Sequence, residues 1–321
     1  MNSLFDPTEQ LQMSCDSPDE FQQKAIGWDI DHLQLTSGRY RVSFDLIHTR
    51  NIQFSNVTHH VGVYERGGLS PGTCAIALPT FLGQAPLYYC GRLLKKNECL
   101  ALKSGEDFES LSSGAMNYLT IVIDSDLLNK EAARLIGKPF TSLVQSHRVR
   151  ISEHDQLRLR KTIATAMEKL KEYPLQLPTV QQSLLEKQIV EQLLLSIQSP
   201  SGKKIRIPSR RQVAWKAEQL IRRYPQQNLD IKQLCKLIGC SARTLHLGFK
   251  ERYGLTPRQY NHILTLNIVR DKLCHLRPEE SISTIAMDWG FYHLGHFSQQ
   301  YKQLFSELPS VTIKRCQELI L

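Results

Sequence analysis

The sequence predicts two domains: a mainly-β barrel or sandwich followed by helices, then an all-α domain with two helix-turn-helix motifs joined by a long helix. Three observations predict it. The stretch Leu229–Pro257 is echoed by Ser281–Pro309, the excess positive charge sits only in the part that holds this pair, and residues 39–124 consist of short alternating runs broken by turn residues.

In LDIKQLCKLIGCSARTLHLGFKERYGLTP, Ile231, Leu234, Cys235 and Ile238 recur at helical spacing until Gly239, and a second helix from Ser241 turns Leu245 and Phe249 inward. Glycine supplies the left-handed backbone that ends a helix, and a serine hydroxyl caps the next one. In SISTIAMDWGFYHLGHFSQQYKQLFSELP, Ile282, Ile285, Ala286 and Gly290 fall 51 residues after Ile231, Leu234, Cys235 and Gly239. Past the turn the offset is 52, pairing Leu245 with Phe297, Phe249 with Tyr301, Lys250 with Lys302 and Pro257 with Pro309. One extra residue in the second turn accounts for the step. Inward positions repeated at fixed spacing mark one supersecondary unit used twice.

The 321 residues are enough for two domains, and 41% hydrophobic content excludes a disordered or fibrous chain. Residues 201–321 hold 20 Lys and Arg against 9 Asp and Glu, a balance of +11, whereas residues 1–200 hold 20 against 22, or −2. A basic domain beside a neutral one is the footprint of a polyanion binder attached to something else. No apolar run approaches the roughly 20 residues that span a bilayer, and the N-terminus lacks the pattern of a signal peptide, so the expectation is a cytoplasmic protein without a membrane partner. The eight cysteines (15, 74, 90, 99, 235, 240, 274 and 316) form no CxxC pair and no zinc-finger spacing with histidine. In a reducing compartment they are expected to be unpaired core or surface residues.

Taken in order, residues 1–38 are polar, with Phe21, Ile26 and Trp28 as anchor points near a first strand. Runs such as YRVSFDLIHT, TCAIALPTF and NYLTIVID, separated by Ser37-Gly38, Ser70-Pro71-Gly72 and Lys103-Ser104-Gly105, predict a many-stranded barrel or sandwich with room for a ligand inside. Helices are expected over Ser125–Ile136, His154–Tyr173 and Val180–Ile197. The last has a wide apolar face through Leu184, Leu185, Ile189, Val190, Leu193, Leu194, Leu195 and Ile197, which either packs on its own domain or forms a homodimer interface. Gln198–Ser209 reads as linker, dividing the chain into a sensor and dimerisation domain at 1–199, a linker at 200–209 and a DNA-binding domain at 210–321. Arg210–Tyr224 is a basic helix buttressing the first repeat, Thr256–Leu276 joins the repeats, and Pro309–Leu321 closes a seven-helix domain.

In a helix-turn-helix the second helix enters the major groove of double-stranded DNA. With Leu245 and Phe249 inward, Arg243, His246 and Leu247 face out, with Thr244 beside them: Arg243 fits guanine O6 and N7, His246 a base acceptor, Leu247 a thymine methyl. In the second repeat Leu294, Gly295, Ser298 and Gln299 face out, with Gln299 suited to adenine, and His293 and His296 are placed either to touch DNA or to cap the helix instead. Lys250 and Lys302 suit phosphate. The first repeat is therefore expected to read sequence more stringently than the second. Two readers in one chain span successive major grooves, about 34 Å apart.

The residues Ile231, Leu234, Cys235, Gly239, Ser241, Leu245, Phe249 and Lys250, and then Ile282, Ile285, Ala286, Gly290, Phe291, Phe297, Tyr301, Lys302, Phe305 and Pro309, resemble the two motifs of the AraC/XylS family of bacterial transcription regulators. The resemblance covers about residues 205–321. Leu247 stands where many members carry Arg, Thr265 where Arg is common, and Cys235 where Ala is usual. The first two departures put in doubt any target preference carried over from relatives.

By its order of strands then helices, the N-terminal half resembles the cupin-like sensor domains of this family. The resemblance implies a non-enzymatic transcription regulator, an activator that contacts RNA polymerase, controlled by a small-molecule effector or partner at the N-terminal domain. It implies no cofactor. A cupin metalloenzyme fused to a DNA anchor is the alternative; it needs histidines two apart plus a glutamate, whereas His59 and His60 are adjacent and point to opposite faces of a strand, with Glu65 following. No metal site is expected, and bound iron or zinc in purified protein would reverse that. An architectural DNA protein without sequence preference is a third reading, separated by competition with random DNA.

Overall fold

The computed structural model describes residues 5, 10–18, 20–21, 28–81, 85–172, 179–198, 209–227, 229–277 and 280–318. Ile26 and nearly all of the expected linker lie outside these residues. The chain forms two compact units: Met1–Asp31, Arg41–His60 and Glu65–Lys203 make one, and His32–Tyr40, Val61–Tyr64 and Lys204–Leu321 the other.

The strands are β1 (Gln10–Cys15), β2 (Trp28–Gln34), β3 (Val42–His48), β4 (Ile52–His59), β5 (Val63–Leu69), β6 (Thr73–Phe81), β7 (Leu87–Tyr89), β8 (Arg92–Leu93), β9 (Glu98–Leu102), β10 (Asp107–Ser112), β11 (Met116–Asp124), β12 (Arg148–Ile151) and β13 (Ile197–Gln198). They form an eight-stranded sheet in the order β1-β3-β4-β11-β6-β9-β12-β13 and a five-stranded sheet in the order β2-β5-β10-β7-β8. Among the described residues the two sheets stay separate and open, which gives a sandwich.

Side chains alternate between the faces of a strand, so the large sheet has two distinct inner surfaces. Phe54, Ile121 and Ile76, aligned across β4, β11 and β6, belong to the face packed on helices. Those helices are α1 (Ser125–Ile136), α2 (Glu153–Glu172) and α3 (Thr179–Ser196), which bury Leu128, Ile163, Met167, Ile189 and Leu193 in the same cluster. Asp124 starts α1 by accepting from the Leu127 amide at 2.8 Å, and Gly137 ends it in the left-handed region at φ 74°. The Glu186 carboxylate on α3 fixes the β3–β4 turn, accepting from the Asn51 amide at 3.0 Å and its side-chain nitrogen at 2.8 Å.

The opposite face of this sheet presents Ser55, Thr120, Ala77 and Leu100 in one cross-strand row. The two small residues Ala75 and Ala77 leave space there, and a cavity of about 80 Å³ opens between the sheets.

The second unit holds α4 (Ser209–Arg223), α5 (Ile231–Ile238), α6 (Ala242–Tyr253), α7 (Pro257–Cys274), α8 (Ile282–Asp288), α9 (Leu294–Phe305) and α10 (Pro309–Glu318). Thr256 and Gln259 form a capping box at the start of α7, where Pro257 costs no hydrogen bond. The cysteine expectation needs one correction: Cys274, at the end of α7, and Cys316, on α10, are paired as a disulfide across a separation of 42 residues, with Cα atoms 5.2 Å apart. Packing of α10 on α7, invisible in any local spacing, brings the two thiols together. The remaining six cysteines form no disulfide. No helix among the described residues is long and apolar enough to cross a membrane.

Candidate DNA-reading surface

The two helix-turn-helices are built by the same local chemistry. Asp230 and Gln233 form a capping box on α5, Gly239 ends that helix at φ 73°, and Ser241 caps α6 by accepting from the Thr244 amide at 3.2 Å. In the second motif Ser281 caps α8, accepting from the Thr284 amide at 3.1 Å, and Gly290 turns the chain at φ 85°. Where α6 ends on Gly254 at φ 68°, α9 ends on Ser306 at φ 59°, the equivalent position with a side chain added. His293 occupies the N-cap position of α9, but its side chain makes no capping bond, which corrects the role expected for it.

Each second helix is pinned by aromatic rings. Phe249, Tyr253 and Tyr260 pack with centroids 4.8 to 5.7 Å apart. Phe291, Phe297, Tyr301 and Phe305 form a second chain at 4.6 to 5.7 Å. Tyr301 shares a 2.7 Å hydrogen bond with Thr312, whose hydroxyl donates to Glu307, and Arg315 binds both oxygens of that carboxylate at 2.8 and 2.9 Å. A planar guanidinium matched to a carboxylate holds its geometry well. Burial pushes the Tyr301 hydroxyl up to about 12.

This packing sets the outward faces. On α6, Leu245 and Phe249 are fully buried while Arg243, His246, Leu247 and Lys250 are exposed; Thr244 is half-buried against Ser241, 2.9 Å from its hydroxyl. The Lys250 ammonium donates to the Gly254 carbonyl at 3.2 Å, so it closes the end of its own helix. On α9, Gly295, Gln299 and Lys302 are exposed and Ser298 is half-buried. Leu294, expected to face out, is half-buried against the second core, because its long side chain folds back over the turn before it.

Sequence reasoning missed a groove of about 460 Å³ between α7 and the second motif, lined among others by Arg258, His262, Tyr292, His293, His296 and Gln300. Burial, then the neighbouring His296 and Arg258, push the His262 imidazole below its usual value. The signal available was the cluster of histidines after Gly290, readable as a second polar surface beside the motif.

In the first unit His59 is buried and His60 exposed, and His59 Nε2 lies 3.1 Å from Glu65 Oε1. The cavity between the sheets is walled by Phe44, Val57, Tyr89, Leu100, Leu102 and Phe108, with Glu65, Ser110 and Tyr118 among its polar groups.

A family model described as a helix-turn-helix domain matches residues 234–315, which run from α5 through α10. The XylDLEGF operon transcriptional activator of Pseudomonas putida is similar to this chain, with 35% identity over 104 residues, 31% of this chain and 32% of that one. The transcriptional activator RhaS of Pectobacterium carotovorum is 40% identical over 67 residues, 21% of this chain and 23% of its own. The chain thus spans about a third or less of the length of these curated relatives. A solved AraC-type regulator from Chromobacterium violaceum is 25% identical, with 34% of this chain and 96% of that chain covered and a TM-score of 0.32.

Proposed function

We propose that the chain is a sequence-specific, non-enzymatic transcription regulator that reads two successive major-groove segments of double-stranded DNA and is controlled by an effector at its N-terminal domain. The observation that carries this reading is the pair of helix-turn-helices in one basic unit, each with its second helix buried on one side and polar on the other. Arg243 and His246 on α6, and Gln299 on α9, contact base edges, with Thr244, Leu247, Leu294, Gly295 and Ser298 around them. Lys250 and Lys302, together with Arg258 in the groove beside the second motif, face phosphates. The likeness to named activators supports positive control, and with it a contact to RNA polymerase.

The cupin-like sensor role rests on the cavity between the two sheets. Self-association is assigned to α3: its Ile189, Val190, Leu193 and Leu194 are buried in the chain's own core, yet Val180, Leu184 and Leu195 remain 79%, 57% and 69% exposed. Selection of bound fragments from the source genome by the purified protein tests the reading. A shared motif of two elements about one helical turn apart is the expected result; fragments without a common sequence would replace it with the architectural role.

A further inference from the structure

The cavity of the first unit has a chemical polarity that restricts what it can hold. Its walls are almost wholly apolar, and no lysine or arginine among the described residues lines it. At its polar end Ser110 Oγ donates to Glu65 Oε2 at 2.8 Å, and Tyr118 Oη lies 3.1 Å from Ser110 Oγ. A serine hydroxyl has one proton, and that proton is committed to Glu65. Tyr118 is therefore the donor to Ser110, and the chain of hydrogen bonds runs from Tyr118 through Ser110 to the carboxylate. Burial, then the nearby Glu65, raise the Tyr118 hydroxyl well above its ordinary value, which keeps that proton in place. With its proton spent inside the network, the Tyr118 oxygen meets the cavity as an acceptor.

Three ligand classes fit badly. A carboxylate would sit beside Glu65 with no lysine or arginine among the described lining residues to balance it, and an ammonium would lose its hydration to walls of Phe44, Phe108 and Leu100. A plain hydrocarbon would leave the polar end without the hydrogen bond that water can make there. The volume of about 80 Å³ limits the guest to one small ring or branched chain.

We infer that the cavity binds a small uncharged molecule, mainly apolar and carrying one hydroxyl donor, with that hydroxyl on Tyr118 and the hydrocarbon over Ala75 and Ala77. This rests on the effector reading and adds the chemical class to it.

Phenol, benzene and benzoate, titrated into the full chain and followed by ligand-observed NMR, test it. Phenol binds saturably and benzoate does not. Tyr118→Phe weakens phenol about tenfold and leaves benzene unchanged, and Ala77→Leu, which fills the space, abolishes both. Ala75→Val, a smaller addition, gives the same direction should Ala77→Leu fail to fold by circular dichroism. Benzoate binding as tightly as phenol, or phenol binding undiminished in the filled variants, overturns the inference. Occupancy of the selected genomic fragments separates the two levels. If filling the cavity alters occupancy while phenol does not bind the native chain, the ligand class falls and effector control stands. If phenol binds yet neither filling nor phenol alters occupancy, the ligand class stands and effector control falls.

Discussion

A Cβ placed on Gly248 would lie 2.2 Å from the carbonyl oxygen of Arg210. The first turn of α4 therefore rests directly on the middle of α6, and ion pairs from Arg210 and Arg211 to Glu251 flank the contact. A backbone oxygen cannot swing aside as a long side chain can. Gly248→Ala is expected to destabilise the second unit by about 1–3 kcal/mol, despite alanine's higher helix propensity. Gly295, also helical, has nothing within 4 Å of its would-be Cβ, so Gly295→Ala should stabilise by about 0.5 kcal/mol. Urea melts of the two variants should move in opposite directions.

Arg243 and Lys250 share one helix, and the roles proposed for them differ. Arg243→Ala should lose discrimination at one base pair, at a cost of about 1–3 kcal/mol, while Lys250→Ala should weaken specific and random DNA alike. Competition at fixed salt checks both. Equal losses on the two DNAs for Arg243→Ala would remove it from the base-reading set.

The outward-facing groups also predict unequal stringency. Single-base changes under α6 should cost more than those under α9, where Gln299 is the chief hydrogen-bonding candidate and Leu294 is half-turned into the core. A saturation-mutated site, scored position by position, measures the difference.

Alkaline stability gives a test with a defined sign. Tyr301 titrates at about 12 in the folded chain, against about 10 unfolded. Because its folded value is raised, the contribution is fully present below pH about 10 and is lost as pH rises through about 12. Urea melts between those limits should fall more steeply for the native chain than for Tyr301→Phe, the difference approaching about 2–3 kcal/mol.

What was readable in advance depended on how local its cause was. Helix ends at Gly239, Ser241 and Gly290 follow from backbone rules acting over a few residues; Ser125–Ile136 matched residue for residue, and Val180–Ile197, Arg210–Tyr224 and Thr256–Leu276 matched within about two residues, while the expected ends at Tyr173 and Leu321 lie outside the described residues. The inward pairs Leu245 with Phe249 and Phe297 with Tyr301 needed only periodicity. The Cys274–Cys316 pairing, the Gly248 contact and the groove at His262 each depend on two helices meeting in space, and nothing in their immediate neighbours announces it. Alternation on β6 separates Ala75 and Ala77 from Cys74 and Ile76, but it does not say which pair faces the second sheet.

Closure by Cys274 and Cys316 turns α8, α9 and the turn between them into a covalent ring, a topology the α5–α6 motif lacks. The loop model assigns such a ring about 4 kcal/mol, most of it through restriction of the unfolded chain. A protease that nicks the exposed turn at Tyr292 would leave both fragments on one molecule until a reductant is added, whereas a nick at Cys240 would divide the chain at once. The second motif is thus the one that keeps its parts together after cleavage.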